Sequence, residues 1–313
     1  MKISAPIRVL AEGADSMVIG SHLDWMKKAG YHVVLIDITE EATGRHLADH
    51  FEVVPKYGAS NIDAVMADII SRHNIELVVP SVDEGLPFWA SRREEWAKKG
   101  VHILVSNLET IEICQDKLRS HEFLVEHGLP SPKTQMTWSQ ETSFMKPRIG
   151  RGSRGVRYCP EGPPASSAEN VLWQEYLDGP EFTVDLLCSA PGEVLYCVIR
   201  QRLTTSNGLS VKSRVVAHPE IEKTARNLAK VANFFGPVNV QFIEFGQNRG
   251  TENCFCITDI NPRISGGQAL TLDATENWFA LYPKILIGEK LKARPVKIGR
   301  TLNRCFKNIF FDS

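Results

Sequence analysis

Lys146-Pro-Arg-Ile-Gly-Arg-Gly-Ser-Arg-Gly155 gathers three glycines and a serine within six residues, flanked by Lys146, Arg148, Arg151 and Arg154. Glycines leave backbone N–H groups uncovered, and cations beside them suit an anion such as phosphate. The runs FMKP and GVRYC on either side read as strands, which makes the segment a hairpin tip. It does not open a helix after GxxxxGK[ST], so P-loop chemistry is disfavoured. An ordinary glycine-rich hairpin would have the same composition, and an RNA-binding loop would need aromatic stacking partners that this one lacks.

A second cluster follows from strand alternation. In Phe255-Cys-Ile-Thr-Asp-Ile-Asn261 the side chains of Asp259 and Asn261 share a face, as do Asn239 and Gln241 in Val238-Asn-Val-Gln-Phe. If Gly246 to Asn253 joins the two strands as a hairpin, Gln241 and Asp259 converge. One carboxylate with two amide oxygens is an all-oxygen site suited to magnesium, with the phosphates of a bound ligand completing it. Pro262 ends the strand, and Arg263 is a fixed cation able to grip phosphate or carboxylate oxygens. A strand closing in ordinary Asn-Pro turn chemistry would look the same. Glu244 falls on the opposite strand face and is not enlisted.

Other candidates are weaker. Asp83 and Glu84 follow the strand LVVPS, at an edge where open α/β sheets collect ligands, although a solvated loop starting a helix explains them too. Arg200, Arg202, Lys212 and Arg214 surround the Thr204–Gly208 turn and would suit a substrate carboxylate; a solvated sheet edge is the plainer account of each. His218 before Pro219 reads as structural or solvent-facing. No Ser-His-Asp or Cys-His arrangement stands out.

The elements that must position these residues alternate in the first third: IRVLAEG, MVIGSHLDWMKKAG, YHVVLIDI, IDAVMADIISRHN, IELVVPSVDE, LPFWASRREEWAKKG and VHILVSN. Short apolar runs between helical periods imply parallel strands with right-handed crossovers, so residues 1–106 are expected to form a Rossmann-like α/β domain. Its first turn, Glu12-Gly13-Ala14-Asp15-Ser16, is not GxGxxG, which argues against a dinucleotide despite Asp37 after the second strand. From Asn107 to His127 the pattern reads as one helix, closed by Gly128-Leu-Pro-Ser-Pro132. The remainder is strand-rich, with a helix from Glu220 to Asn233. The expected fold is therefore α/β in front and α+β behind.

Bulk composition limits the partners. With 313 residues, 43% hydrophobic and 23% charged, the chain suits a two-domain globular protein. A formal net charge of -1 offers no general attraction to nucleic acid or an anionic membrane. No apolar run reaches membrane-spanning length, and MKISAPIRVLAEGAD reads as a first strand rather than a secretory leader. The seven cysteines form no CxxC pair, and Cys254 and Cys256 share a strand face without further ligands; reduced thiols in a cytoplasmic protein are expected.

In order, Asp116-Lys117, the loop Lys146 to Gly155, Gln174-Glu-Tyr-Leu177 with Gly179-Pro-Glu181, Val238 to Gln241 and Asp259-(x)-Asn-Pro-Arg263 resemble the ATP-grasp superfamily. The closest likeness is to its carbamoyl-phosphate-synthase-like and amino-acid-ligase branch, and it covers nearly the whole chain. That resemblance implies a Rossmann-like pre-ATP-grasp domain (1–106) and a two-subdomain ATP-grasp domain (107–313), with a small lid subdomain at about 134–178 and a C-terminal subdomain at about 179–313.

The same resemblance implies the roles. Lys117 and Lys146 contact ATP phosphates, and Gly150, Gly152, Ser153, Arg154 and Gly155 belong to the loop that folds over them. Glu175, Tyr176 and Leu177 hold adenine, and Glu181 accepts the ribose hydroxyls. Gln241, Asp259 and Asn261 match the magnesium positions, where manganese can substitute. Arg263 stabilises the departing phosphate, with Lys146 as its catalytic companion. Asp83, Glu84, Arg202, Lys212, Ser265, Gly266 and Gly267 are the candidate substrate contacts. Gln241 stands where many members have a carboxylate, Asp259 where Glu is common, and Ala274 and Thr275 where glycines are frequent.

The implied activity joins a small-molecule carboxylate to an amine through an acyl phosphate. A bicarbonate- or carbamate-phosphorylating module and a nucleotide-binding regulator without turnover are the alternatives; the front domain and a C-terminal helix favour independence over a fragment. A homodimer is compatible with each.

Overall fold

The computed structural model describes residues 6–150, 155–164, 170–206, 208–246, 254–305 and 307–311. The front of the chain alternates strand and helix: β1 (Ile7–Glu12), α1 (Ile19–Lys28), β2 (Tyr31–Asp37), β3 (His50–Val53), α2 (Ile62–Arg72), β4 (Leu77–Val79), α3 (Leu86–Lys98) and β5 (His102–Ile103). The five strands pair in parallel in the order β3-β2-β1-β4-β5. Val9, Leu10, Val33, Val34, Leu35, Leu77 and Val78 are fully buried on both faces, which is why these strands read as unbroken apolar runs.

The single helix expected from Asn107 to His127 is two: α4 (Leu108–Gln115) and α5 (Lys117–Glu126). Asp116 between them is extended, with φ -95° and ψ 106°, and its carboxylate accepts the N–H groups of Leu118 and Arg119. An N-cap needs that non-helical backbone, so the residue that starts α5 also ends α4.

Two antiparallel sheets follow. β6 (Thr134–Gln135), β7 (Phe144–Pro147), β8 (Arg157–Tyr158) and β9 (Val171–Gln174) form a small sheet ordered β6-β9-β7-β8. β7 and β8, the runs on either side of the glycine-rich segment, are paired antiparallel. Next come β10 (Glu181–Ala190), β11 (Glu193–Ser206), β12 (Leu209–Val215), α6 (Pro219–Val231), β13 (Gly236–Glu244), β14 (Phe255–Asn261), α7 (Gln268–Ala274), α8 (Tyr282–Leu286) and β15 (Thr301–Asn303). Their strands build a larger sheet ordered β14-β13-β10-β11-β12-β15.

One face of the large sheet is apolar: Phe182, Val184, Leu186, Val240 and Phe242 pack on Ile221, Ala225 and Leu228 of α6. The other face is divided. At one end Leu187, Tyr196 and Val198 share a core with Val9 of β1, Leu23 and Met26 of α1, and Trp278, Phe279 and Tyr282. The Tyr31 hydroxyl donates to the Phe279 carbonyl across this boundary, and Asn277 donates to the Trp25 carbonyl at 2.8 Å. At the other end the face is polar.

Candidate active site

That polar face is set by register. Thr183 on β10, Gln241 on β13 and Asp259 on β14 stand opposite one another, and Asp185, Asn239 and Asn261 make the neighbouring row. A bulge between Gln241 and Phe242 sets the offset, because Phe242 pairs with Ile257 and leaves Thr258 as the extra residue. Without it, strand alternation would send Asp259 to the apolar face. Asn261 Nδ2 donates to Asp259 Oδ2 at 3.0 Å, so the row is joined internally.

Cations converge on this row from other elements. Lys146, on β7 of the small sheet, donates to Gln174 Oε1 at 2.7 Å and reaches the Thr258 carbonyl at 3.5 Å. Burial pushes its ammonium down to about 8, while Asp259 pulls the other way. Lys117, the first residue of α5, donates to the Gly150 carbonyl at 2.7 Å and lies 4.0 Å from Asp259 Oδ1. Its backbone N–H holds the Arg148 carbonyl at 3.1 Å. Asp116-Lys117 and the stem of the glycine-rich hairpin are thus one hydrogen-bonded unit.

Arg148 itself is not turned to an incoming anion. Its guanidinium is held by both Asp116 oxygens, at 2.6 to 2.9 Å, so it braces the hairpin stem. Arg202 points into the row, with Nη1 3.4 Å from Gln241 Oε1 and Nε 3.3 Å from Glu181 Oε2. Arg263 stands past the end of β14, paired with Asp83 of the front sheet at 2.5 Å.

The Glu175–Leu177 segment leads from β9 of the small sheet toward β10 of the large one. Glu175 N–H donates to the Lys133 carbonyl at 2.8 Å, Tyr176 stacks on Tyr158 at 4.3 Å, and Leu177 is buried against Phe245 and Cys256. A cavity of about 810 Å³ opens beside it, lined by Leu129, Tyr158, Glu175, Tyr176, Phe255 and Cys256 among others. By contrast, the gap against Lys117, Gln174, Thr258 and Asp259 is only about 20 Å³. Lys146 bridges the two sheets near this gap through Gln174 and the Thr258 carbonyl.

Several expected substrate contacts fall elsewhere. Arg200 and Arg202 pair across to Val215 and Ser213, so Lys212 and Arg214, on the alternate positions of β12, are exposed on the opposite face. The four cations do not form one pocket. Arg200 is 1% exposed and bound to Asp185 at 2.8 and 3.0 Å, with Thr271 also donating to Asp185.

Ser265 is buried: its hydroxyl accepts from Arg200 at 3.1 Å and its carbonyl lies 3.2 Å from His22 Nε2. The Gly266 carbonyl takes Arg304, and a Cβ on Gly267 would stand 2.6 Å from Arg200 Cζ. Ser265 to Gly267 is therefore a packed turn held by charged side chains rather than an open substrate loop. Asp83 is spent on Arg263, and Glu84 beside it is exposed. Gly152, Ser153 and Arg154, with Arg151, lie outside the described residues. Gly150 and Gly155 both have positive φ, at 157° and 74°, which suits glycine at the two ends of the tip.

Sequence reading gave no role to the Gln174 side chain, Thr258 or Asp185. Gln174 sits within the recognised hinge motif and could have been weighed as a partner for Lys146; a bulge residue and a buried counter-ion leave no local signature.

Residues 167–303 match the family described as ATP-grasp in the biosynthetic pathway with Ter operon, and residues 20–104 match the PylC-like N-terminal domain. The chain is 24% identical to the carbamoyl phosphate synthase large chain of Clostridium acetobutylicum over 92% of its own length, yet spans only 29% of that relative. It is 21% identical to a carbamoyl-phosphate synthase of Methanobrevibacter smithii, covering 79% of this chain and 72% of the relative. The biotin carboxylase domain of Hydrogenobacter thermophilus 2-oxoglutarate carboxylase superposes with a TM-score of 0.69 at 18% identity, over 95% of this chain and 73% of that one. At that identity the likeness shows the fold.

Proposed function

Because the chain belongs to the ATP-grasp superfamily, we propose that it is an ATP- and magnesium-dependent ligase that activates a carboxylate as an acyl phosphate for attack by an amine. The observation that carries this reading is the direct pairing of Gln241 with Asp259 beneath Lys117 and Lys146, at the seam between the two antiparallel sheets. We retain 1–106 as the front domain and 107–313 as the ATP-grasp unit, with lid and C-terminal subdomains meeting at the hinge. A cytoplasmic setting suits seven free thiols. A homodimer is the assembly we infer, by analogy with the dimeric biotin carboxylase domain.

Each group then has a task. Lys117 and Lys146 hold the phosphates, and Gly150 to Gly155 close over them. Backbone groups of Glu175, Tyr176 and Leu177 hold adenine in the hinge, and Glu181 takes the ribose hydroxyls in exchange for Arg202. The donor set fits one hard cation with few protein charges. It is all oxygen, and among the described residues no three His, Cys, Asp or Glu converge as a metal cluster. Gln241, Asp259 and Asn261 would hold magnesium, which when bound neutralises phosphate oxygens, and manganese would serve in its place.

Phosphoryl transfer demands positioning and charge stabilisation more than proton transfer. Lys146 and Arg263 supply positive charge that acts on Asp259. The hairpin lid excludes water, which would otherwise hydrolyse an acyl phosphate. Arg202 remains the candidate to receive the substrate carboxylate.

ADP release measured across amino acids and other small carboxylates, each with and without an amine, tests the proposal. Turnover that requires both substrates is expected, and none under any pairing would refute it. Asp259→Asn should abolish magnesium-dependent turnover; retained turnover would remove Asp259 from the metal site. A second reading, phosphorylation of bicarbonate or carbamate, draws on Gln241 and on the carbamoyl-phosphate synthase relatives. Bicarbonate-stimulated ADP release without an organic carboxylate would favour it, and tight ATP binding without turnover would favour a regulator.

A further inference from the structure

Arg263 is held by the front sheet. Its Nε and Nη2 donate to the two oxygens of Asp83 at 2.5 and 3.1 Å, although Asp83 lies 180 positions earlier. Nη1 donates to the Ile264 carbonyl at 3.1 Å, and Nη2 also reaches Asn261 Oδ1 at 3.4 Å. The two side chains are only 17% and 20% exposed. Of five guanidinium N–H groups, these contacts engage four.

Asp83 is itself fixed. Glu12, 3% exposed at the end of β1, accepts the N–H groups of Ser81 at 2.7 Å and Val82 at 2.9 Å. Trp89 Nε1 donates to the same carboxylate at 2.7 Å, and the Tyr57 hydroxyl does so too. On the far side Gln115 donates to the Asp83 carbonyl. A forked ion pair anchored on such a loop sets the direction of the guanidinium as well as its place.

A second carboxylate competes for that cation. Asp259 precedes Arg263 by four positions, with Asn261 between them donating to Asp259 at 3.0 Å and accepting from Arg263 at 3.4 Å. We propose that Asp83 is a positioning residue that holds Arg263 off Asp259, leaving the Asp259 oxygens open to a metal ion and the remaining Nη1 N–H of Arg263 open to the phosphoryl group. This rests on the reading of Asp259 as a metal ligand. Remove the Asp83 charge, and the desolvated guanidinium turns to Asp259 and Glu84, the other carboxylates acting on it.

ADP binding to the whole chain, titrated by calorimetry at rising magnesium and in EDTA, tests the inference in wild type, Asp83→Asn and Asp83→Glu. In wild type, magnesium should tighten ADP binding. In Asp83→Asn the EDTA affinity should stay within about twofold, whereas the magnesium concentration for half-effect should rise about tenfold. Its kcat should fall on the order of a hundredfold with little change in the KM for ATP. Asp83→Glu, which keeps the charge, should recover most of both, a rescue that a merely structural role does not predict. Asp83→Ser serves if the asparagine variant does not fold. If wild type responds to magnesium and the neutral variants respond equally, the inference alone is overturned; if wild type shows no response, the metal reading falls with it.

Discussion

Titrating nucleotide affinity between about pH 7 and about pH 9 probes Lys146, whose ammonium crosses from the small sheet to Gln174 and the Thr258 carbonyl. Burial pushes its pKa down to about 8, and the Lys117 charge adds to the effect, against the attraction of Asp259 and Glu181. The free protein therefore carries Lys146 mostly charged below about 8 and mostly neutral above it. Phosphate binds the charged form, so observed affinity is flat at the acid end and falls as pH rises. If only that form binds, the loss is about tenfold between about pH 7 and about pH 9, and about half a proton is taken up on binding near pH 8.

Calorimetric titration with ADP in two buffers of different ionisation enthalpy measures both quantities. Lys146→Arg stays charged and should flatten the profile. Lys146→Met should flatten it too and weaken binding at the acid end by roughly 1.5–3 kcal/mol, the usual worth of a hydrogen bond to a charged group. The folded-state pKa lies below the unfolded one, so stability of the ligand-free protein should rise with pH above about 8, toward the ordinary lysine value. A pH-independent wild-type affinity, or a Lys146→Met profile that keeps its slope, would refute the assignment.

Gly267→Ala places a methyl 2.6 Å from Arg200 Cζ, and Arg200 cannot yield without disturbing its pair with Asp185. Thermal unfolding should show a loss of about 1–3 kcal/mol from overpacking, and an unchanged melting temperature would mean that the turn relaxes freely. Asp116→Ala removes the cap of α5 and the brace on Arg148 together. The cap alone is worth about 1 kcal/mol, and ADP affinity should fall as well because Lys117 and the hairpin stem lose their common anchor. Unaltered binding would argue that the stem holds itself.

What the sequence could disclose is set by how local the cause is. Alternation of two puts Asp259 with Asn261 and Asn239 with Gln241, but the pairing of Gln241 with Asp259 also needs the bulge at Thr258, which no local pattern announces. Lys212 groups with Arg202 in the sequence only through the turn between their strands, which does not fix the face of either. Arg202 sits opposite Ser213, with a bulge before Thr204, and only that register shows that Lys212 faces away. The break at Asp116 is in principle legible, since Asp immediately before a helical run is a capping signal, yet continuous periodicity on both sides conceals it. Arg263 was identified as a cation with a task, while its partner, 180 positions away, obeys no local rule.

The front sheet shows the same division between what is absent and what replaces it. Missing glycines after β1 argue against a dinucleotide, but they do not say how that sheet edge is used. There Glu12 supplies an internal acceptor that draws the N–H groups of Ser81 and Val82 around itself. Burial pushes its carboxyl up, while its Tyr57, Ser81 and Trp89 partners favour the charged form. The loop so fixed carries Asp83 to Arg263. The continuous core through Val9, Tyr196 and Trp278 keeps the two sheets from separating. A sheet of ligand-binding topology has in this way become the buttress of a site on its neighbour, and its closed edge follows from the same carboxylate that makes it rigid.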